Sequence, residues 1–287
     1  MSVNDWLKKA KEEKFAIGAF NVGNLETFKA VARAAANKKS PVIIESSPGE
    51  TNFLGADNIV DLAQNFSQDL GVPILVNLDH AQTLEECIKG IEAGYDLIHF
   101  DGSTLPLEQN MEIAKKVVEL AHQKSLAVEG EMDHITGSSE VHQGSAESEV
   151  DLAKFTDPIK AQQFVQNCGL DILAVFFGNV HGVFSQGGEN LHLSILEKLA
   201  QVLPNTFFSL HGGSGIEDNQ VKEAIKRGIV KVNINTQIRQ AFRENLEKDL
   251  SKNSGEYAMY KIEGPVIEAV QKIVEQKIEV FGSAGKI

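Results

Sequence analysis

The chain has 287 residues, 42% hydrophobic and 23% charged, with a formal net charge of −13. That length exceeds an ordinary domain but suits a single α/β barrel, and the acidic balance argues against a nucleic-acid surface or an anionic membrane as partner. No apolar run approaches the ~20 residues that span a bilayer, residues 1–7 carry no basic segment leading into an apolar one, and the two cysteines, Cys87 and Cys168, sit in no metal or redox spacing, so a cytoplasmic protein with reduced thiols is expected.

Asn4 to Glu13 reads as an amphipathic helix with Trp6, Leu7 and Ala10 on one side. Phe15 to Phe20 is a first strand. Glu26 to Lys38 is a helix, because Phe28, Val31, Ala32 and Ala35 recur at helical spacing. Pro41 to Glu45 is a second strand that exits into Ser46-Ser47-Pro48-Gly49, and Asn58 to Leu70 is the next helix. Ile74-Leu75-Val76-Asn77-Leu78-Asp79-His80 is a third, buried strand ending in a carboxylate beside an imidazole. Thr83 caps the helix that follows, with Glu86 completing a capping box.

Leu97 to Phe100 is a fourth strand, leaving through Asp101-Gly102-Ser103. Leu107 to Lys124 is a helix, and Leu126 to Glu131 a fifth strand with acidic residues at its end. Asp133 to Asp151 has no apolar period and reads as a long loop of the kind that covers an active site. Pro158 to Asn167 is a helix, and Ile172 to Phe177 a sixth strand running into Gly178-Asn179-Val180-His181-Gly182. Leu193 to Leu203 is a helix, and Phe207 to Leu210 a seventh strand running into His211-Gly212-Gly213-Ser214-Gly215. Asp218 to Lys226 is a helix and Ile229 to Ile234 an eighth strand. Glu244 to Lys252 and Gly264 to Val280 are further helices, suited to a subunit interface. Eight strands alternating with helices predict one (β/α)8 TIM-barrel domain over residues 1–287 with extra C-terminal helices.

In such a barrel the C-terminal strand ends meet on one face, where chemistry is done. Three of them deliver a histidine each: His80, His181 and His211. Three neutral imidazoles with an open position are a catalytic zinc arrangement. His99, His122, His134, His142 and His192 are left out of it, His99 because it lies inside a strand. Asp79 reads either as a carboxylate orienting an imidazole or as a general acid/base. Asp101 and Glu131 read either as ligands of a second cation or as a rim ionic network. Gly212-Gly213-Ser214-Gly215 and Asn233-Ile234-Asn235-Thr236 stand at the usual phosphate position of a barrel. A metal beside a phosphate suggests polarising the carbonyl of a phosphorylated sugar or keto compound.

With these motifs in this order the chain resembles the class II, zinc-dependent ketose-bisphosphate aldolases, the fructose- and tagatose-bisphosphate group. The likeness runs from Ile17-Gly18-Ala19-Phe20-Asn21 to Phe281-Gly282-Ser283-Ala284-Gly285-Lys286. It implies a glycolytic lyase of the cytoplasm that cleaves a phosphorylated ketose to dihydroxyacetone phosphate and an aldehyde through a zinc-stabilised enediolate, and that works as a homodimer or homotetramer. It implies that His80, His181 and His211 hold the zinc and that Asp79 is the proton donor to the aldehyde oxygen. Gly182, Gly212, Gly213, Ser214, Asn233, Ile234, Asn235 and Thr236 would bind dihydroxyacetone phosphate, with Ser47 near its phosphate. Asp101 and Glu131 match acidic positions tied to a second divalent ion, and a monovalent cation often assists near the phosphate.

Three departures bear on the aldehyde half. The segment Glu131-Met132-Asp133-His134-Ile135-Thr136-Gly137 replaces two glycines of the pattern, which leaves Glu140 as the candidate proton-transfer glutamate. No lysine follows His181-Gly182, and Glu256-Tyr257-Ala258-Met259-Tyr260 lacks an arginine linked to the second phosphate. Two other readings stand beside the aldolase. One is a Schiff-base enzyme using Lys231, although strand-interior lysines mostly face outward. The other is a metal- and phosphosugar-binding barrel that has lost catalysis.

Overall fold

The computed structural model describes residues 1–146, 150, 154–186 and 189–287. Eight parallel strands close a barrel: β1 (Ile17–Asn21), β2 (Val42–Ser46), β3 (Ile74–Ala81), β4 (Leu97–Asp101), β5 (Ala127–Glu131), β7 (Ile172–Ala174), β9 (Phe207–Leu210) and β10 (Ile229–Ile234), with β10 pairing back onto β1. These are the eight predicted strands. β7 is shorter than expected. Beyond Ala174 side chains replace the ladder, because Phe176 N–H donates to Thr156 Oγ1 and Phe177 N–H to Asn179 Oδ1.

Helix α1 (Val3–Glu13) is stapled by a capping box between Ser2 and Asp5. It turns Val3, Trp6, Leu7 and Ala10 onto a cluster with Ile17, Ile43, Leu75, Leu97, Ala127, Ile172 and Val230. Those strand residues lie at or near strand starts, so α1 plugs the end of the barrel opposite the histidines and leaves one face open. The larger core lies between the barrel and its helices: α2 (Leu25–Lys38), α4 (Ala56–Leu70), α5 (Leu84–Ala93), α6 (Leu107–Gln123), α7 (Pro158–Cys168), α8 (Leu193–Val202), α9 (Asp218–Lys226), α10 (Thr236–Lys252) and α11 (Met259–Phe281). The predicted capping box at Thr83 and Glu86 is present, each residue bonding the other's backbone N–H.

Two expectations need correction. The Ser46-Ser47-Pro48-Gly49 exit is the start of a short helix, α3 (Pro48–Leu54), with Ser47 as N-cap and Pro48 at its first turn. The 133–151 stretch is not loop throughout. Gly137–Ser145 forms β6, which pairs in parallel with β8 (His181–Gln186) outside the barrel. Its polar, mostly exposed residues carry no apolar alternation, so the strand signal was absent. Residues 147–149 and 151 of that stretch lie outside the described residues.

Candidate metal and phosphosugar site

An alternating strand should not point two neighbours the same way, yet Asp79 and His80 both line one cavity of about 140 Å³. The backbone resolves this. His80 has φ 53, a left-handed conformation rare for a residue with a side chain, and the register between β3 and β4 shifts between Leu78 and Ala81. Such a twist costs on the order of 1–3 kcal/mol. It is held by the His80 N–H, which donates to His99 Nδ1 at 3.1 Å.

The two imidazoles at the cavity floor each have one nitrogen committed. His80 Nδ1 lies 2.8 Å from Asp101 Oδ2, whose other oxygen accepts from Ser103 N–H and Oγ–H. His211 Nε2 lies 2.7 Å from Glu129 Oε1. A carboxylate only accepts, so the remaining nitrogens, His80 Nε2 and His211 Nδ1, are the ones left to bind a metal, which they do with both rings neutral. They lie 3.1 Å apart. Two nitrogens bound to one tetrahedral zinc at roughly 2.0–2.1 Å stand about 3.3 Å apart. The donor set therefore fits a cation. His181 lies alongside, its ring 5.1 Å from that of His80 and 6.0 Å from that of His211. Burial, aided by the charges of His80 and His211, lowers its basicity and keeps it neutral, as a ligand must be.

His99, left aside in the sequence, belongs to this cluster. Its ligand atoms lie within 4.8 Å of those of Asp79, His80 and His211. It is a poor ligand even so, because Nδ1 accepts the His80 N–H and Nε2 faces Glu131 Oε2 at 3.4 Å. Its place is behind the site, where it shapes the His80 twist. Asp101 and Glu131 also stand behind His80, Glu131 Oε2 being 3.8 Å from His80 Nδ1. That oxygen is buried without a hydrogen bond among the described residues; His80, Asp101 and Glu131 form a group that would hold a cation only in place of the His80 Nδ1 proton.

Asp79 accepts from Asn21 Nδ2 at 3.1 Å and from Asn233 Nδ2 at 3.2 Å. Burial alone would raise its carboxyl, but the His80 charge, the His99 ring 3.5 Å away and the His211 charge outweigh it and hold Asp79 well below the usual range. For His80 burial opposes the charged form, yet Asp79, Asp101 and Glu131 lift it to about 9, so with no cation bound its Nε2 holds a proton toward His211 Nδ1, and a metal would take the place of that proton.

The other wall of the cavity is an anion cradle. Gly212 has φ 71, and a side chain there would run into the Val180 carbonyl. α10 begins at Thr236 with no side-chain cap from Asn235, so its N-terminal N–H groups face the Gly212–Ser214 turn, and Gln237 N–H reaches Ser214 Oγ at 3.4 Å. Gly182, Ser47, Asn233, Asn235 and Thr236 line the cavity as expected. Gly213 does not: it packs on Val232 and Ile234, and the Ile234 side chain is fully buried in the core. Glu140 is exposed on β6 and lines a neighbouring groove with Arg239 and Arg243 rather than the histidine cavity. Sequence reasoning missed Asn21, Ser139 and Arg239 as lining residues. Arg239, paired with Glu50 Oε1 at 2.8 Å, is the guanidinium of the cavity.

Lys231, expected to face outward, points into the barrel with no exposure. Its Nζ lies 2.8 Å from Glu45 Oε1 and 2.9 Å from Glu129 Oε2. Burial lowers an amine, but the charges of Glu129, Glu45 and Asp79 prevail and hold Lys231 above its usual range. A protonated, triply engaged ammonium is no Schiff-base nucleophile.

Behind the cradle Glu189 Oε2 accepts Val180 N–H at 3.0 Å, and burial pushes its carboxyl from 4.5 up to about 8. A carboxyl raised in the folded state withdraws stability as pH climbs from its unfolded value toward the folded one. Glu189→Gln is therefore expected to gain Tm on the parent as pH rises from 5 to 8, with no gain at pH 4. Thermal melts across that range check it.

The family model described as fructose-bisphosphate aldolase class-II matches residues 1–286. The chain is 39% identical to the fructose-bisphosphate aldolase of Streptococcus pneumoniae serotype 4, over 100% of this chain and 99% of that one. It is 34% identical to the fructose-bisphosphate aldolase of Geobacillus stearothermophilus, over 100% and 98%. Among solved structures, the YdjI aldolase of Escherichia coli K12 superposes with a TM-score of 0.84 at 29% identity, covering 99% of this chain and 98% of that one.

Proposed function

Because the chain belongs to the class-II fructose-bisphosphate aldolase family, metal-dependent lyases acting on a ketose bisphosphate, we propose that His80, His181 and His211 hold a zinc ion and that the cavity cleaves fructose 1,6-bisphosphate or its tagatose epimer to dihydroxyacetone phosphate and an aldehyde. The observation that carries the reading is the pair of imidazole nitrogens 3.1 Å apart beside Asp79, on the floor of a cavity walled by a helix N-terminus. Held by these residues, a zinc ion would supply Lewis acidity at the ketone oxygen. Asp79 takes the proton of the C4 hydroxyl as the aldehyde forms and returns it in condensation. Asn21 and Asn233 hold that carboxylate by donating to its two oxygens. The α10 N-terminus, Ser214 and Gly212 bind the phosphate of the dihydroxyacetone half.

Arg239 meets the distal phosphate in this reading, since it is the guanidinium lining the cavity and is tied to the Ser47 helix through Glu50. Arg239→Ala is expected to raise KM for a ketose bisphosphate about tenfold while leaving KM for a 1-monophosphate within about twofold, a difference of ~1.4 kcal/mol for one charged contact. Steady-state kinetics on both substrates decide it.

Asp101 and Glu131 are assigned to a second cation behind His80, and Glu140 is not assigned a proton-transfer role. No helix is long and apolar enough to cross a membrane; a cytoplasmic location accompanies the proposed reaction. Association into a homo-oligomer through the α10–α11 turn, where Tyr257, Met259 and Tyr260 are exposed, is part of the reading, and sedimentation as a monomer removes it. Coupled assays of the zinc-loaded protein on a panel of ketose phosphates test the whole. Turnover of a bisphosphate supports it. Tight binding of a dihydroxyacetone phosphate analogue with no turnover on any member turns the protein into a binding barrel.

A further inference from the structure

We propose that Lys231 is a positioning residue of this site: one buried ammonium that fixes the tautomer of His211 through Glu129 and the orientation of the Asn233 amide against Asp79. An ammonium has three protons and no acceptor. Here all three are used, on Glu45 Oε1, Glu129 Oε2 and Asn233 Oδ1, at 2.8, 2.9 and 2.9 Å. Lys231 precedes Asn233 by two residues on β10, so strand alternation turns both into the barrel.

Each contact has a consequence one bond further on. Glu129, tethered by one oxygen, presents the other to His211 Nε2 at 2.7 Å and to the Ser209 hydroxyl at 2.5 Å. The proton of neutral His211 then stays on Nε2, and Nδ1 faces the cavity with its lone pair. Asn233 has its carbonyl oxygen claimed by a group that can only donate. Its NH2 must therefore turn the other way, where Asp79 Oδ1 lies at 3.2 Å and His211 Nδ1 at 3.3 Å. Without the ammonium the amide is free to flip and set its oxygen against the Asp79 carboxylate. Glu45 has a different part. It bonds Lys231 and Asn77 Nδ2 but neither His211 nor Asp79; it balances charge.

The catalytic consequence rests on the aldolase reading, whereas metal affinity and the tautomer do not. Lys231→Met alone strands two buried carboxylates, so the test uses Lys231→Met with Glu45→Gln, which removes one charge of each sign and keeps the interior sum. Glu45→Gln is the control. In the control, zinc affinity by chelator competition and kcat stay within about threefold of the parent. In the double variant, folded by its cooperative melt, zinc affinity falls 10–100-fold, the range for losing a group that orients a ligand, kcat falls more than KM rises, and 15N spectra show both His211 tautomers. A folded double variant with parental zinc affinity and a single tautomer overturns the proposal. So does a metal-free parent whose neutral His211 is protonated at Nδ1, a readout that needs no variant. A parent that cleaves no ketose sinks the aldolase reading and leaves both of these measurements standing.

Discussion

His80→Ala and His211→Ala each lower kcat for ketose-bisphosphate cleavage by on the order of 10³-fold or more, the several kcal/mol that a Lewis acid supplies to developing charge, and each loses stoichiometric zinc after dialysis. The reason is geometric. The two rings contribute the nitrogens that stand 3.1 Å apart, and each is aimed by its own carboxylate, Asp101 for His80 and Glu129 for His211. Removing either ring leaves the other nitrogen without its counterpart. The effects are non-additive, so the double variant is no worse than about either single one. His80→Gly, which unlike Ala fits the left-handed backbone at that position, is expected to keep or raise Tm while activity collapses. Metal analysis, kcat and melts on the same preparations separate loss of the site from loss of the fold. Parental zinc content with parental kcat in either variant would remove that histidine from the site.

Asp79→Ala is expected to cut kcat by about 10²–10⁴, the usual worth of a positioned acid/base, with zinc retained and KM changed by no more than a few-fold. Asp79 is well placed for this part. It faces the cavity, its two oxygens accept from Asn21 and Asn233, and its Oδ1 is 3.9 Å from His80 Nε2, beyond hydrogen-bond reach. Its carboxyl is held low against the effect of burial by the imidazoles around it, so at neutral pH it is a base able to take the C4 hydroxyl proton. Loss of zinc from Asp79→Ala, in proportion to lost activity, would instead make it a carboxylate that supports the metal. Exogenous formate restoring part of the rate would favour the acid/base role.

The barrel was legible because its evidence is local. Each strand is an apolar run bounded by glycine or polar exits, and two of the histidines sit at strand ends, His80 one residue before the end of β3 and His211 one residue past β9, while His181 opens β8, seven residues past β7. That Gly212 and Asn235 line the cavity was legible for the same reason, since both lie at the starts of turns directly after strands. What escaped was set by partners distant in sequence. His99, Glu129 and Lys231 look like odd polar residues inside strands, and their meaning appears only once β4, β5 and β10 are brought to one interior. One signal was available: Glu129 and Glu131, His99 and Asp101, and Lys231 and Asn233 are pairs two apart, so the member at the strand end predicts the direction of the member below it. The Gly137–Ser145 strand had no such signal, because it pairs outside the barrel and buries little. Glu140 was assigned by position in a motif, and the backbone of that same strand carries it away from the cavity.

The most direct test of the account is the rate of fructose 1,6-bisphosphate cleavage by one preparation assayed as purified, after EDTA treatment, and after zinc is restored. The account predicts loss of activity in the chelator and its return with one zinc per chain. Undiminished cleavage in EDTA would contradict it.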